Sequence, residues 1–405
     1  MNEVFERARQ SFLEGLAHFQ AGALPEAERC FELALALVPG RASTLTNLGA
    51  TRVKLGKEAE ALALLEQATV AEPGNTEAWS YLGLAHAGLA QHEQALACYE
   101  QALALAGGNA LLWMQRAQAL VRLGRPEEAL VSFEEALARD TGLAEAWSHR
   151  GTLLRELHRL QEAAECFGKA LALGADPQVN GYFLASVRGA DAPATAPREY
   201  VEYLFDDYAA EFQSHLVGVL RYRAHEVLIR HLAQGEPRRF RSVLDLGCGT
   251  GLCGPLIAPL ADRVDGVDIS RGMLDKARTL GVYNTLVHAD LAEYLQGAER
   301  RDDLVLAADV FIYVGDLAAV FAGVARILQP GGLFCFTVEC AAGDEELALL
   351  PSLRYAHSEA YIRRLAHDHG FEVKALLHAP LREDQQQPIE GLYVYLVQCC
   401  TLSGT

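Results

Sequence analysis

The chain has 405 residues, about half of them apolar, and a net charge of −18. That length suits two or three domains, each with enough apolar material for its own core. The acidic balance argues against a nucleic-acid partner, whose phosphates need clustered Lys and Arg. No apolar run of about 18 residues occurs, and the start, MNEVFERARQSFLEG, is amphipathic and acidic. A cytoplasmic protein without a membrane partner is therefore expected. Nine cysteines fall at irregular spacing. Cys248 and Cys253 lack a second pair to complete a zinc site, so no metal is expected and a reducing compartment fits.

The first elements repeat. Ala27, Ala61, Ala95, Ala129 and Ala163 stand 34 residues apart, and four positions on come Phe31, Leu65, Tyr99, Phe133 and Phe167. Gly15, Gly49, Gly83 and Gly151 keep the same register, with Ala117 in the fourth slot, and Trp79, Trp113 and Trp147 share another. Small residues let two helices cross closely while the large one plugs the gap beside them. WSYLGLAH then supplies the first helix of a unit and HEQALACYEQALAL the second. Neither helix buries its face alone, so the units stack into a superhelix. This pattern resembles the tetratricopeptide repeat family and gives an all-α N-terminal domain of five units over residues 1–175. The resemblance implies a peptide or protein bound on the inner face of the first helices, among them Thr46, Asn47, Ala50, Leu84, Met114 and Gln118. Only Asn47 matches the Lys and Asn clamp that the family uses for chaperone tails. Bracing the rest of the chain, or forming a homodimer, is the open alternative.

GADPQVNGYFLASVRG predicts a capping helix and ADAPATAP a linker, which together occupy 176–198. From 199 to 405 strands and helices alternate. RSVLDLG, RVDGVDIS, YNTLVHADL, DDLVLAADVFIYV and GGLFCFTVE read as strands, with CGPLIAPLA, RGMLDKARTLG and LAAVFAGVARILQ as helices between them. FEVKALLHAP and GLYVYLVQ close the chain as an antiparallel pair. The second domain is thus an α/β doubly wound, Rossmann-like sheet, with its ligand beyond the C-terminal strand ends.

The stretch LDLGCGTGLCG admits two nucleotide-binding frames. Gly249, Gly251 and Gly254 fit the G-x-G-x-x-G of dinucleotide enzymes; Gly247, Gly249 and Gly251 fit G-x-G-x-G behind Asp245. Asp268 suits the ribose in either frame. Asp245 decides between them, because a carboxylate opposes a pyrophosphate and suits a ligand carrying an ammonium. With HADL after the third strand and LQPGGLF before the fifth, the region 200–398 resembles the class I S-adenosylmethionine-dependent methyltransferases.

That resemblance implies a cofactor site for S-adenosylmethionine. The loop Gly247, Cys248, Gly249, Thr250 and Gly251 would receive the methionine part, with Asp245 near its ammonium. Asp268 would hold the ribose, Ile269 and Met273 the adenine face, and Asp290 and Leu291 the adenine edge. Ala308 and Asp309 would stand beside the sulfonium. Tyr208, with Tyr203, Phe205 and Phe212, would close over the cofactor, or pack as ordinary helix aromatics. Methyl transfer is an in-line displacement, so a base is needed only for a protonated nucleophile. The candidates are Tyr313, Glu339 and His357; capping for Glu339 and core packing for His357 stay open. No Asn-Pro-Pro-Tyr tetrad is present, which lowers amides and base amines as acceptors. The expected enzyme methylates a peptide, protein or carrier-tethered substrate captured by the repeats. The alternative is a scaffold whose nucleotide domain no longer catalyses.

Overall fold

The computed structural model describes residues 2–208, 218, 220–234, 239–342, 345–384 and 387–399. Its internal contacts divide the chain into two units, Met1–Asn180 and Gly181–Thr405. The first contains five helix pairs. Their second helices, Leu24–Leu37, Glu58–Ala71, His92–Leu105, Pro126–Arg139 and Leu160–Ala172, begin at intervals of 34 residues. Their partners are Asn2–Gln20, Ala42–Lys54, Thr76–Gly88, Ala110–Arg122 and Ala144–Glu156. Asn75 and Asn109 cap two of these by accepting backbone N–H groups, while Pro25 and Pro126 sit in first turns, where a missing N–H is harmless.

The repeated small residues are explained by what they face. A Cβ on Gly83 would lie 2.5 Å from the Tyr99 ring, and one on Gly49 equally close to Leu65. Gly15 and Gly151 stand in the same relation to Phe31 and Phe167, at 2.7 Å. The five alanines at the other crossing are wholly buried. Each tryptophan fastens its own unit: the indole N–H donates to a carbonyl six residues upstream, Pro73, Gly107 or Thr141. Gly83→Val should therefore cost about 1–3 kcal/mol by overpacking. Urea unfolding should show it, whereas Gly168→Val, with open space at its Cβ position, should cost nothing and gain slightly in helix propensity.

The inner face differs from expectation. Met114, Thr46 and Ala50 are only 6, 2 and 1% exposed, and the Asn47 amide turns back to the Ser43 carbonyl at 2.8 Å. Thr46, Ala50 and Met114 are thus enclosed in the array and offer a peptide little, and Asn47 spends its amide on its own helix. Leu84 and Gln118 remain half-exposed.

The second unit is built on one sheet. Its strands are β1 (Val243–Leu246), β2 (Val264–Asp268), β3 (Thr285–His288), β4 (Asp302–Ala307), β5 (Leu328–Cys340), β6 (Leu347–Leu349), β7 (Tyr355–His357), β8 (Phe371–Asp384) and β9 (Gln387–Gln398). The order runs β3-β2-β1-β4-β5-β7-β6, with β9 antiparallel between β5 and β8. β1 pairs in parallel with both β2 and β4, so the strand order reverses there. A crevice opens at such a reversal because the two flanking connections leave toward opposite faces. One face of the sheet buries Phe311, Phe321, Phe334 and Phe336; the other buries Tyr222, Phe240, Ile257 and Tyr393.

Three local features depart from the sequence reading. β6 and β7 fill a stretch expected to be loop, and β7 pairs with β5 at Glu339 and Cys340, past the last β4 pair at Phe336. β4 stops at Ala307: Asp309 turns the chain with φ 60°, and a 3-10 turn follows over Phe311–Tyr313. The helix expected in CGPLIAPLA is the four residues Gly254–Ile257 and a 3-10 turn, Ala258–Leu260, because Pro259 has no N–H to continue it. Among the described residues no helix is long and apolar enough to cross a membrane.

Candidate functional site

A cavity of about 580 Å³ lies at the C-terminal ends of β1, β2 and β4. Asp245, Gly247, Cys248, Gly249, Thr250, Asp268, Ile269, Met273, Asp290, Leu291, Ala308, Asp309 and Tyr313 all line it. Gly251, Glu339 and His357 do not. The side chain of Tyr208 and all of Phe212 lie outside the described residues; Phe205 lines the wall, while Tyr203 is exposed.

The loop after β1 explains its glycines. Gly247 has φ 62°, and a Cβ there would meet the Val310 side chain at 2.5 Å. Gly249 has φ 55° and nothing within 4 Å of its Cβ position. Only Gly249 thus presents open backbone; Gly247 and Gly251 are held by protein neighbours, the latter by Leu280 and Tyr283. The Gly249 N–H donates to Asp268 Oδ2 at 2.8 Å, and the Ser270 N–H to Oδ1 at 2.9 Å. Burial pushes the Asp268 carboxyl above its ordinary value, and these two N–H groups pull against that.

Asp245 is 1% exposed. Burial pushes its carboxyl up to about 7, against a hydrogen bond from the Tyr283 hydroxyl at 2.7 Å, and Asp268 nearby adds to the rise. Such a group favours a cationic ligand, which restores the ionised form. Asp290 caps the helix Leu291–Gly297 through Oδ1, which accepts the Ala292 and Glu293 N–H groups. Ser270 caps Arg271–Thr279 and donates its hydroxyl to Asp206 at 2.5 Å. Asp206 belongs to the helix Arg198–Tyr208, so that helix is tied to the turn beside Asp268.

At the β4 end, Asp309 is held in its left-handed conformation by its N–H on Thr337 Oγ1 and by Arg382 Nη1 on both carboxylate oxygens, at 2.7 and 2.8 Å. The other Arg382 amino group pairs with Glu339. Arg382 and Glu339 are 2 and 4% exposed. Burial raises the Glu339 carboxyl, with Arg382 and then Arg354 opposing. Glu339 is committed to this buried ion pair and offers no free carboxylate to a substrate. Tyr313 does reach the cavity, with Phe205 edge-on at 5.3 Å. Burial raises its phenol, and the Arg354 guanidinium works against the rise. It is a neutral hydroxyl, suited to positioning.

His357 has no access to the cavity. It is wholly buried in β7, its Nε2–H donates to the Gly315 carbonyl at 2.8 Å, and burial lowers it to about 4. The pairing of β7 with β5 carries the ring inside, where it stacks on Tyr361; it cannot serve as the base. Tyr222, His225, Arg354 and Arg382 line the cavity and were not read from the sequence. Tyr222 and His225 fall in the stretch RYRAHEVL, residues 221–228.

A largely parallel sheet with an order reversal, a glycine loop after β1 and acids at the ends of β1 and β2 form the arrangement common to nucleotide-binding α/β domains. A family profile described as a methyltransferase domain matches residues 243–332. Tetratricopeptide repeat profiles match 76–109 and 114–180. The chain is 38% identical over 114 residues to dimethylglycine N-methyltransferase of Parasynechococcus marenigrum, covering 27% of this chain and 41% of that one. It is 29% identical over 163 residues to malonyl-[acyl-carrier protein] O-methyltransferase of Salmonella typhimurium, covering 37% and 62%. It is 28% identical over 169 residues to ubiquinone biosynthesis O-methyltransferase of Thiobacillus denitrificans, covering 36% and 72%. The chain thus spans less than two thirds of the first two relatives. Residues 243–332 thus carry a methyltransferase domain, preceded in the chain by tetratricopeptide repeats.

Proposed function

We propose that the protein transfers the methyl group of S-adenosylmethionine to an acceptor recruited by its repeats. The observation that carries the first part is the pairing of Asp268 with the open Gly249 backbone at the wall of a cavity that Asp245 also enters. Asp268 would hold the ribose hydroxyls, Asp245 the ammonium, and Ile269 with Met273 the adenine face. Oδ2 of Asp290 is left for the adenine edge, since Oδ1 caps a helix. Bound there, the cofactor supplies a methyl group already activated by positive sulfur. The chain's part is to orient the nucleophile and exclude water. Tyr313 positions the acceptor, and Phe205 with the apolar wall keeps solvent out.

Calorimetry of the full chain tests this reading. S-adenosylmethionine and S-adenosylhomocysteine should bind with Kd on the order of micromolar; NAD binding more tightly than S-adenosylhomocysteine would refute the reading. The relatives are named for N- and O-methylation, and the acceptor proposed here is a peptide, protein or carrier-tethered group. A cytoplasmic setting accords with the free thiols. Leu84→Asp on the half-exposed inner face should raise KM for the natural acceptor with S-adenosylhomocysteine affinity unchanged, since only remote binding energy is lost. An unchanged KM would remove the recruiting role.

A further inference from the structure

Arg354 lines the cavity beside Tyr313. It ends the turn between β6 and β7, where its carbonyl accepts the Leu350 N–H at 2.9 Å. The residue before it, Leu353, holds φ 63°. A bulky side chain rarely takes that left-handed conformation, and keeps it only where the surroundings enforce it. Here the Tyr182 hydroxyl donates to the Leu353 carbonyl at 2.5 Å, and the Leu353 N–H donates to the Leu350 carbonyl at 2.9 Å. β7 follows at once and pairs with β5 at Glu339. A strained, pinned turn thus delivers the Arg354 guanidinium to the cavity wall.

That guanidinium donates to the Tyr313 hydroxyl and acts on Glu339 as its second cation, after Arg382. Arginine has only donors, so the Tyr313 oxygen accepts and its own hydrogen is directed elsewhere. The wall around these groups is apolar. Phe205 stands edge-on to Tyr313, and the Leu220 carbonyl accepts the N–H of Glu383, next to Arg382. Charge is balanced at this place: Arg354 and Arg382 face Asp309 and Glu339. In the cofactor reading the positive sulfur comes beside Asp309, which leaves one positive charge in excess. A single anion restores the balance. A planar carboxylate matches a guanidinium and a hydroxyl side by side, whereas a phosphate monoester brings nearly twice the charge.

We propose that Arg354 and Tyr313 bind a carboxylate on the methyl acceptor, carried on an apolar stem that lies against Phe205 and Leu220. The inference rests on the cofactor reading above and narrows its acceptor to a carboxylic acid. It assigns Arg354 to recognition and leaves the cofactor to the acids at the ends of β1 and β2.

The experiment is calorimetry of the full chain saturated with sinefungin, an unreactive analogue whose amine cation replaces the positive sulfur. The probes are hexanoate, hexanamide, hexylphosphonate and N-acetylglutamate α-amide, the last a peptide-like carboxylate on a short stem. Hexanoate should bind at least about tenfold more tightly than hexanamide, as for hydrogen bonds to a charged group. Arg354→Met and Tyr313→Phe should each weaken hexanoate by about tenfold or more, with sinefungin affinity within about twofold. Arg354→Lys, which keeps the charge without the fork, should recover part of the loss. If Arg354→Met fails to fold, Tyr313→Phe carries the test alone. Equal affinity for hexanoate and hexanamide, or hexanoate binding unchanged in Tyr313→Phe, would overturn the inference while sinefungin binding upholds the cofactor reading. Tighter binding of hexylphosphonate would overturn the choice of carboxylate, and tighter binding of N-acetylglutamate α-amide the apolar stem. A wild-type chain that does not bind sinefungin would overturn the cofactor reading and this inference together.

Discussion

Arg382→Leu should destabilise the C-terminal unit by about 3–5 kcal/mol. The guanidinium joins Asp309 to Glu339; Arg382 and Glu339 are nearly shut off from water, and Asp309 is largely buried at the cavity wall. Removing it leaves two largely buried carboxylates facing each other, with the Arg354 guanidinium still acting on Glu339. They must then take up protons or drag water inward. The triple variant Asp309→Asn, Glu339→Gln, Arg382→Leu should regain most of the loss, because an uncharged set carries no unpaired ion. Urea unfolding followed by tryptophan-independent circular dichroism separates the two outcomes. A single variant as stable as wild type would show that the pair contributes nothing.

Asp245→Asn should move stability and binding in opposite directions. The folded carboxyl lies at about 7 against an ordinary 3.8. The fold therefore prefers the protonated form, its contribution is complete below about 3.8, and a penalty builds as pH rises to about 7. Above that the penalty is constant, at most about 4 kcal/mol. Asparagine cannot ionise but can still accept the Tyr283 hydroxyl. The ligand-free variant should thus melt higher than wild type at about pH 8 and no higher at about pH 4. S-adenosylhomocysteine affinity should fall by at least about tenfold, because the ammonium loses its counter-charge. For the wild type, affinity should rise with pH up to about 7 and then flatten, since binding ionises Asp245. Equal melting curves at the higher pH would contradict the buried-charge account.

The repeats were legible because each of five units meets the same steric demand, a glycine or alanine opposite one large side chain, and repetition makes such a demand visible. The glycine loop was legible for a related reason: Gly247, Gly249 and Gly251 all take positive φ within five residues, and Asp245 and Asp268 flank them at fixed distances. β6 and β7 were not, because three-residue strands are too short to show alternation. That gap misplaced His357, which looked like a loop residue over the site and is a buried strand residue. Arg382 could not be foreseen from pattern at all: it lies 73 residues from Asp309 and meets it only because β8 and β9 fold back beside β5. Met114 shows the opposite error, since its register was right but the stacking of helices encloses it.

On the proposed reading, the crevice between β1, β2 and β4 holds S-adenosylmethionine through Asp268. The most direct measurement is the affinity of S-adenosylhomocysteine for wild type and for Asp268→Ala, taken with the melting temperature of each. The account predicts a loss of about 1.5–3 kcal/mol in binding with the fold retained, as for hydrogen bonds between a carboxylate and ribose hydroxyls. A collapsed melting temperature with unchanged affinity in the folded fraction would make Asp268 a structural residue and contradict the claim.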